Sequence, residues 1–227
     1  MTTRYLSENA YPETVEYLVA AGDTVCLIPA TGVAAAAPAP HCTAPVSVPI
    51  ADHADLYYCR LGITGDSPVI HALPGELAPG YPQEAAFNAV CTGRYFLHNT
   101  NLTNPRLLAA ARDLGLEIIH ARQGYTRCST IPVSENALIT YDRGIALSAH
   151  KRDINVLVVE PRHVLLPGYD TGLLGGTCGN LEGHTLLFNG DLTTHPDYPK
   201  ITEFASSYGL ICKWIPGKPL RDIGSII

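Results

Sequence analysis

One spacing occurs three times along the chain: a proline, nine intervening residues, and then a glycine that opens a short apolar segment. The copies span residues 12–22, 105–115 and 199–209. Proline suits the first turn of a helix because its missing N–H would be unpaired there, and glycine suits the left-handed residue that ends a helix. Each copy is therefore predicted to be a helix of about ten residues that leads into a β-strand. Three copies of one unit indicate a repeat architecture.

The segments before the later helices complete the repeated unit. Strand-like segments at 87–91 and 94–99 precede the helix predicted from residue 105. Two more, at 179–181 and 184–189, precede the helix predicted from residue 199. The unit is thus predicted to run strand, strand, helix, strand.

The copies begin 93 and then 94 residues apart, which leaves room for one more unit in each interval. In the second interval, strands at 135–142 and 154–160 flank a short helix at 144–152. The first interval holds two strand-like segments within residues 51–80 but no helix. Five units are therefore predicted, and the second of them is degraded.

The two termini are expected to complete one unit together. The first copy has a single strand, residues 3–7, before its helix, whereas the C-terminus carries an unmatched strand-like segment, residues 224–227. Pairing of the two would close the array and remove exposed sheet edges. Residues 1–227 are predicted to form one domain, in which the Pro- and Ala-rich stretch 29–50 is an extended connection.

Composition argues against several classes of protein. The formal net charge is −6 and no Lys/Arg cluster is longer than Lys151-Arg152, so we expect no nucleic-acid partner. No stretch approaches the ~18 apolar residues of a membrane span, and the N-terminus lacks a continuous apolar signal segment. The seven cysteines are an odd number without a CxxC motif, which suits reduced thiols. We expect a cytoplasmic protein with no membrane partner, and a homodimer contact at the degraded unit is left open.

Two segments resemble units of the pentein superfamily of guanidine-modifying enzymes. Residues 177–204 are similar in strand, turn and helix pattern to the penultimate unit of the dimethylarginine dimethylaminohydrolases, and residues 87–101 resemble an earlier unit. The resemblance spans nearly the whole chain. It implies an α/β fold, a pentein-like five-unit propeller of ββαβ repeats.

The resemblance also places the residues that carry out the superfamily's reaction. Those enzymes use an acidic residue, a histidine and a cysteine nucleophile from successive units, which hold, protonate and attack the guanidinium group. In this chain the corresponding places hold Asn88, Thr126 and Gly224. The resemblance therefore implies the fold without the usual Cys-His-Asp chemistry.

The loops predicted to converge on the ring axis are nevertheless rich in polar residues. Convergent polar groups in a concave site are typical of small-molecule binding. Acidic side chains among them could hold a cationic ligand. The ligand-binding candidates are Asp52, Asp55, Glu84, Asn88, Arg127, Asn180, Asp222 and Ser225.

Two cysteines and one histidine are candidates for catalysis. Cys178 lies in a glycine-rich loop that could present backbone N–H groups to an oxyanion, although these glycines could equally serve close packing. Cys128 follows Arg127, whose charge could lower the thiol pKa. His53 has carboxylates nearby that could orient it as a base. No cofactor is predicted and no metal site, because His53 and Asp55 supply only two ligands and no HExxH or paired CxxC motif occurs.

Three function classes follow. The leading hypothesis is a protein that binds a small polar metabolite, guanidino or amino-acid-like, at the axial pocket without the usual chemistry. The second is a hydrolase or transferase that acts on an amide or amidine carbon, with Cys178 or Cys128 as nucleophile and His53 as base. The third is a protein-interaction propeller.

Overall fold

The structure is a computed structural model that describes residues 1–30 and 48–227. Most of the connection predicted at 29–50, with Cys42, lies outside the described residues. Within them, five helices and thirteen strands form a mixed α/β fold of five small sheets. None of the described helices is long and apolar enough to cross a membrane.

The N-terminal sheet has two strands and the next sheet lacks a helix. Strand β1 (Thr3–Ser7) pairs in parallel with β2 (Thr24–Ile28), and helix α1 (Pro12–Ala20) connects the two strands. Strands β3 (Tyr58–Arg60) and β4 (Val69–His71) form an antiparallel pair. The degraded second unit is thus confirmed as two strands without a helix.

The third sheet contains a complete unit. Strand β5 (Val90–Cys91) runs antiparallel to β6 (Tyr95–His98), and β6 pairs in parallel with β7 (Glu117–His120). Helix α2 (Pro105–Asp113) connects the two parallel strands. This is the predicted order of strand, strand, helix, strand.

The fourth sheet repeats the same order after a short helix. Helix α3 (Thr126–Ser129) is a single turn that leads into β8 (Thr130–Ser134). Strand β9 (Ala137–Thr140) pairs antiparallel with β8 and parallel with β10 (Asn155–Val158). Helix α4 (Arg143–His150) connects β9 to β10, as the sequence predicts.

The fifth sheet is the third complete unit. Strand β11 (Cys178–Leu181) runs antiparallel to β12 (Thr185–Phe188), which pairs in parallel with β13 (Ile211–Trp214). Helix α5 (Tyr198–Ser207) connects the parallel strands. The repeated unit is therefore confirmed in three of the five sheets.

The proline-to-glycine spacing marks the helices as expected. A proline begins α1 and α2 and lies in the first turn of α5. Gly22, Gly115 and Gly209 have φ angles of +89°, +73° and +79°, the left-handed region in which glycine carries no Cβ penalty. The spacing therefore fixes both where each helix begins and where the chain turns back toward its sheet.

The C-terminal segment joins the N-terminal sheet. The N–H of Tyr5 donates to the carbonyl of Ile227 at 2.9 Å, and the N–H of Ile227 donates back to the carbonyl of Tyr5 at 3.0 Å. The predicted strand at 224–227 is wrong in its first half, because Gly224 and Ser225 have φ angles of +65° and +68°. Those two residues turn the chain, and only its last residue pairs with β1.

Packing strengthens this contact between the ends of the chain. Ile226 is buried in one hydrophobic cluster with Leu6 and Leu18 from the first unit and Leu181 and Leu187 from the fifth sheet. The cluster thus connects three parts of the chain that are distant in sequence.

We predict that Ile226→Ala lowers the free energy of unfolding by about 2–5 kcal/mol, the usual cost of a cavity at a buried isoleucine. Ile226 is 3 % exposed, whereas Ile211 on β13 is 60 % exposed. Ile211→Ala is the matched control and should cost less than about 1 kcal/mol. Urea denaturation of both variants measures the difference. Equal losses would show that the C-terminal segment does not stabilise the first unit.

Candidate functional site

Three segments that are far apart in the sequence bring a histidine, a cysteine and an aspartate together. His53 precedes a 3-10 turn, Cys128 lies in α3, and Asp222 follows Arg221, which bridges to Leu165. A ring nitrogen, the Sγ and a carboxylate oxygen of these residues all lie within 4.8 Å of one another, and all three residues are buried. We call His53, Cys128 and Asp222 the central cluster.

Asp55 lies directly behind the cysteine. The Cys128 thiol donates to Asp55 Oδ2 at 2.9 Å, and the Ser225 hydroxyl donates to the same oxygen at 2.7 Å. The amide of Asn88 donates to Cys128 Sγ at 3.3 Å and accepts the Cys128 backbone N–H at 3.2 Å. Asp55 Oδ1 is buried and has no hydrogen-bond partner among the described residues. The thiol is therefore held between an amide and a carboxylate that keeps one oxygen unused.

The carboxylate of Asp222 is fixed by backbone groups. Its Oδ2 accepts the N–H of Leu173 at 2.8 Å, and its Oδ1 accepts the N–H of Gly224 at 3.0 Å. His53 Nδ1 lies 3.8 Å from Asp222 Oδ1, and the His53 ring forms no hydrogen bond with any described residue. Burial raises the pKa of Asp222, while the charge of His53 and the two N–H bonds oppose the rise.

Burial, together with the neighbouring negative charges, keeps the Cys128 thiol neutral. Burial raises the pKa of Cys128 well above its usual value, and the carboxylates of Asp55 and Asp222 raise it further. Since the pKa is raised, the thiol remains protonated at neutral pH and acts as the donor to Asp55. The sequence-based expectation that Arg127 lowers this pKa is not supported, because the Arg127 guanidinium donates to backbone carbonyls, among them those of Gly175 and Cys178.

A cavity of about 180 Å³ opens over the central cluster. Its walls combine aliphatic side chains with the rings of Tyr125 and Tyr169. The Tyr125 hydroxyl donates to Glu84, which places this predicted ligand residue behind the wall. The other wall residues are Ile50, Leu166, Thr171 and Leu173.

A smaller polar cavity of about 70 Å³ is also lined by His53 and Asp222. Asp52 lines it with Asn9 and Arg221. Asp52 accepts hydrogen bonds from Ser7 and from the Asn9 side chain at 2.9 Å. Asp52 therefore faces this second cavity and is already bonded to the first unit.

The other sequence candidates lie elsewhere. Cys178, a predicted nucleophile, does not line the cavity; its thiol packs in a hydrophobic cluster and its nearest polar partner is the carbonyl of Gly179 at 3.7 Å. Burial raises its pKa as well. Asn180 donates to the carbonyls of Pro132 and Val133, so its amide holds neighbouring segments together. These two residues and Arg127 have structural contacts away from the central cluster.

Glycines allow the segments to approach this closely. A Cβ on Gly224 would overlap the side chain of His53, and a Cβ on Gly176 would overlap the carboxylate of Asp222. Added Cβ atoms on Gly175 and Gly179 would meet the α3 backbone and Ile226. The packing interpretation of the glycine-rich loop is therefore the one that the structure supports.

Sequence reasoning did not identify the walls of the cavity. Tyr125 and Tyr169 come from different loops, and they line one cavity only because the fold brings the loops together. Each tyrosine follows a glycine, Gly124 and Gly168, in a connection between strands. That pattern is the available signal, and it is too common in loops to identify a binding wall.

We predict that Gly224→Ala is strongly destabilising and displaces His53. Gly224 has a φ of +65° and no room for a Cβ, whereas Gly217 has a φ of +74° and no atom within 4 Å of the added Cβ. Gly217→Ala thus measures the backbone cost alone, about 1–2 kcal/mol. Gly224→Ala should cost clearly more in urea denaturation, because the overlap adds to that cost. Equal costs would contradict the tight contact with His53.

The central cluster falls partly within a recognised sequence family. A family model described as a family of unknown function (DUF6873) matches residues 70–227. The matched range includes Cys128 and Asp222, while His53 and Asp55 precede it. No curated protein and no solved structure matches the chain. Because the match covers more than half of the sequence, the chain belongs to the DUF6873 family of unknown function.

Proposed function

We propose that this chain is a pentein-like five-unit α/β propeller that binds a small cationic metabolite, guanidino or amino-acid-like, in the cavity over the central cluster. The five small sheets support the fold, since three of them share one strand order and the others are shortened versions of it. The hydrogen bonds between Tyr5 and Ile227 support closure of the ring.

The observation that carries the binding proposal is a pair of buried carboxylates, of which Asp222 lines the cavity and Asp55 lies behind Cys128. Asp55 and Asp222 are 0 % and 3 % exposed. Among the described residues, neither forms an ion pair with a lysine or an arginine, and His53 is the basic partner of Asp222. Burying carboxylates without a full counter-charge is costly, so a cationic ligand would be strongly favoured there.

The walls suit the same class of ligand. Tyr125 and Tyr169 offer aromatic faces, which attract cations and also stack on planar guanidinium groups. Ile50, Leu166 and Leu173 offer apolar surface for the methylene chain of an amino-acid-like ligand. One acidic group, Asp222, among largely apolar walls resembles the usual layout of a small-molecule site.

A thermal-shift screen tests this binding in a buffer with a chelator. The panel contains arginine, methylated arginines, agmatine and citrulline, which is uncharged on its side chain. A cationic member at about 100 times its dissociation constant adds about 2.7 kcal/mol, which raises the melting temperature by several degrees. Citrulline should give a much smaller shift because it lacks the side-chain charge.

Two variants show whether the shift comes from this cavity. Asp222→Asn should abolish the shift, since it removes the negative charge. It keeps an oxygen for only one of the two backbone N–H groups, so circular dichroism must show that the variant is folded. Asp142→Asn is the matched control, because Asp142 accepts the N–H of Ile145 at the start of α4, away from the cavity. A shift that survives in Asp222→Asn, or no shift with any member of the panel, would refute the binding proposal.

The central cluster also supports a second candidate function, a cysteine-dependent hydrolase acting on an amide or amidine carbon. Cys128 would give its thiol proton to His53 and attack that carbon, forming a C–S bond. The C–N bond would then break as the leaving amine takes the same proton from His53. Water would then cleave the C–S bond and restore the thiol. The observation that favours this function is the meeting of Cys128, His53 and Asp222. The raised thiol pKa opposes it unless a cationic substrate offsets the carboxylates.

Alkylation of Cys128 by reagents of different charge tests this candidate. We expect a cationic haloacetamidine to label Cys128 faster than neutral iodoacetamide does, relative to their rates with free cysteine, because the carboxylates attract the cation. Peptide mass spectrometry identifies the labelled thiol, with Cys128→Ser as the negative control. Asp222→Asn should reduce the preference. Equal relative rates for both reagents at Cys128 would argue against a cysteine enzyme for cationic substrates.

A further inference from the structure

We infer that the central cluster is a binding site for a borderline-soft divalent metal ion of the Zn²⁺ class, with His53, Cys128 and Asp222 as its three protein ligands. This inference goes beyond the proposed function and does not rest on it, since it concerns the side chains alone and not a metabolite. The ligands come from three separate segments, which explains why no sequence motif indicates the site.

The spacing of the ligand atoms is close to that of a metal site. The three atoms lie within 4.8 Å of one another, and His53 Nδ1 lies 3.8 Å from Asp222 Oδ1. In tetrahedral zinc sites, ligand atoms lie about 3.3–3.7 Å apart, as bond lengths of about 2.0–2.3 Å require. Contraction by at most about 1.5 Å would bring the three atoms to this spacing, which side-chain rotations can supply.

The chemistry of the ligands selects the class of metal. One thiol sulfur, one imidazole nitrogen and one carboxylate oxygen form a mixed set that suits Zn²⁺ or Co²⁺. Mg²⁺ and Ca²⁺ prefer oxygen ligands, so they are expected to bind far less tightly. A metal bound here replaces the thiol proton, and its charge of two balances the thiolate and Asp222.

A second observation concerns the buried His53 ring, whose ion-pair neighbour Asp222 lies beyond hydrogen-bond distance. The His53 ring is 3 % exposed and forms no hydrogen bond with any described residue, although it lines both cavities. A buried imidazole normally has a hydrogen-bond partner or a metal. In the described part of the chain, the Asp222 carboxylate lies near this ring. The distance from His53 Nδ1 to Asp222 Oδ1 is 3.8 Å, which is too long for a hydrogen bond.

Neighbouring groups already orient the ligands as outer partners do in metal sites. Asp222 accepts two backbone N–H groups, from Leu173 and Gly224. Asn88 donates to Cys128 Sγ, which would stabilise a metal-bound thiolate. Such outer partners typically contribute about 10–100-fold to metal affinity. The cavity of about 180 Å³ leaves the fourth coordination position open to solvent or a ligand.

Cobalt titration of the untagged, chelator-treated protein tests the site, without any metabolite present. We expect one equivalent of Co²⁺ to bind and to give a sulfur-to-cobalt charge-transfer band together with the visible bands of tetrahedral cobalt. Zn²⁺ should then displace the cobalt. His53→Gln and Asp222→Asn should each weaken Co²⁺ binding at least about 10-fold, because the loss of even an outer partner of a ligand lowers metal affinity by that factor.

Thiol variants identify the sulfur ligand. Cys128→Ser should remove the charge-transfer band, whereas Cys178→Ser should keep it, because Cys178 packs in a hydrophobic cluster away from the site. Circular dichroism confirms that each variant is folded. Absence of the band in the wild-type protein, or its persistence in folded Cys128→Ser, would overturn the inference. Because the metabolite screen is run with a chelator and this titration without metabolite, each result stands or fails separately.

Discussion

The hydrogen bonds that converge on one oxygen of Asp55 join distant parts of the chain. Asp55 Oδ2 accepts from Cys128 in the fourth unit and from Ser225 near the C-terminus. A backbone hydrogen bond joins the same two segments, since the N–H of Asp55 donates to the carbonyl of Gly224 at 3.1 Å. A buried carboxylate without such donors would be very costly. The positions of the second unit, α3 and the C-terminal turn are therefore mutually dependent, and the central cluster forms where they meet.

Local signals in the sequence were sufficient for most of the repeated units, although the strand at Thr130–Ser134 was not predicted. The helices follow from proline and glycine chemistry, and the strands follow from short apolar segments between turns, as with α2 followed by β7. Both signals depend on residues close together in sequence. The C-terminal segment was harder, because its apolar residues indicate a strand while the left-handed Gly224 and Ser225 are dictated by contact with His53 and Asp55.

The candidate site was predictable as a set of polar residues but not as a geometry. Asp55, Cys128 and Asp222 were expected to converge, yet the sequence alone could not separate them from Arg127 or Asn180. Whether a residue belongs to the site depends on the direction in which its side chain points. Arg127 and Cys128 are adjacent in one turn, and the first donates to carbonyls of the glycine-rich loop while the second faces the cavity. Tertiary packing determines this difference.

The protonation state of Cys128 links the possible occupants of the cavity. Because Cys128 is buried and has Asp55 and Asp222 close by, the neutral thiol is the stable form, so the resting site holds a donor and not a nucleophile. A guanidinium or ammonium group over the cluster offsets part of this negative charge while leaving the thiol in place. A divalent metal offsets more of it and takes the place of the thiol proton. Both proposed occupants would need Asp222, so they would exclude each other. The occupant of the site would then depend on two ratios, the concentration of the metabolite to its dissociation constant and that of the metal to its own. The cation with the higher ratio would occupy the site.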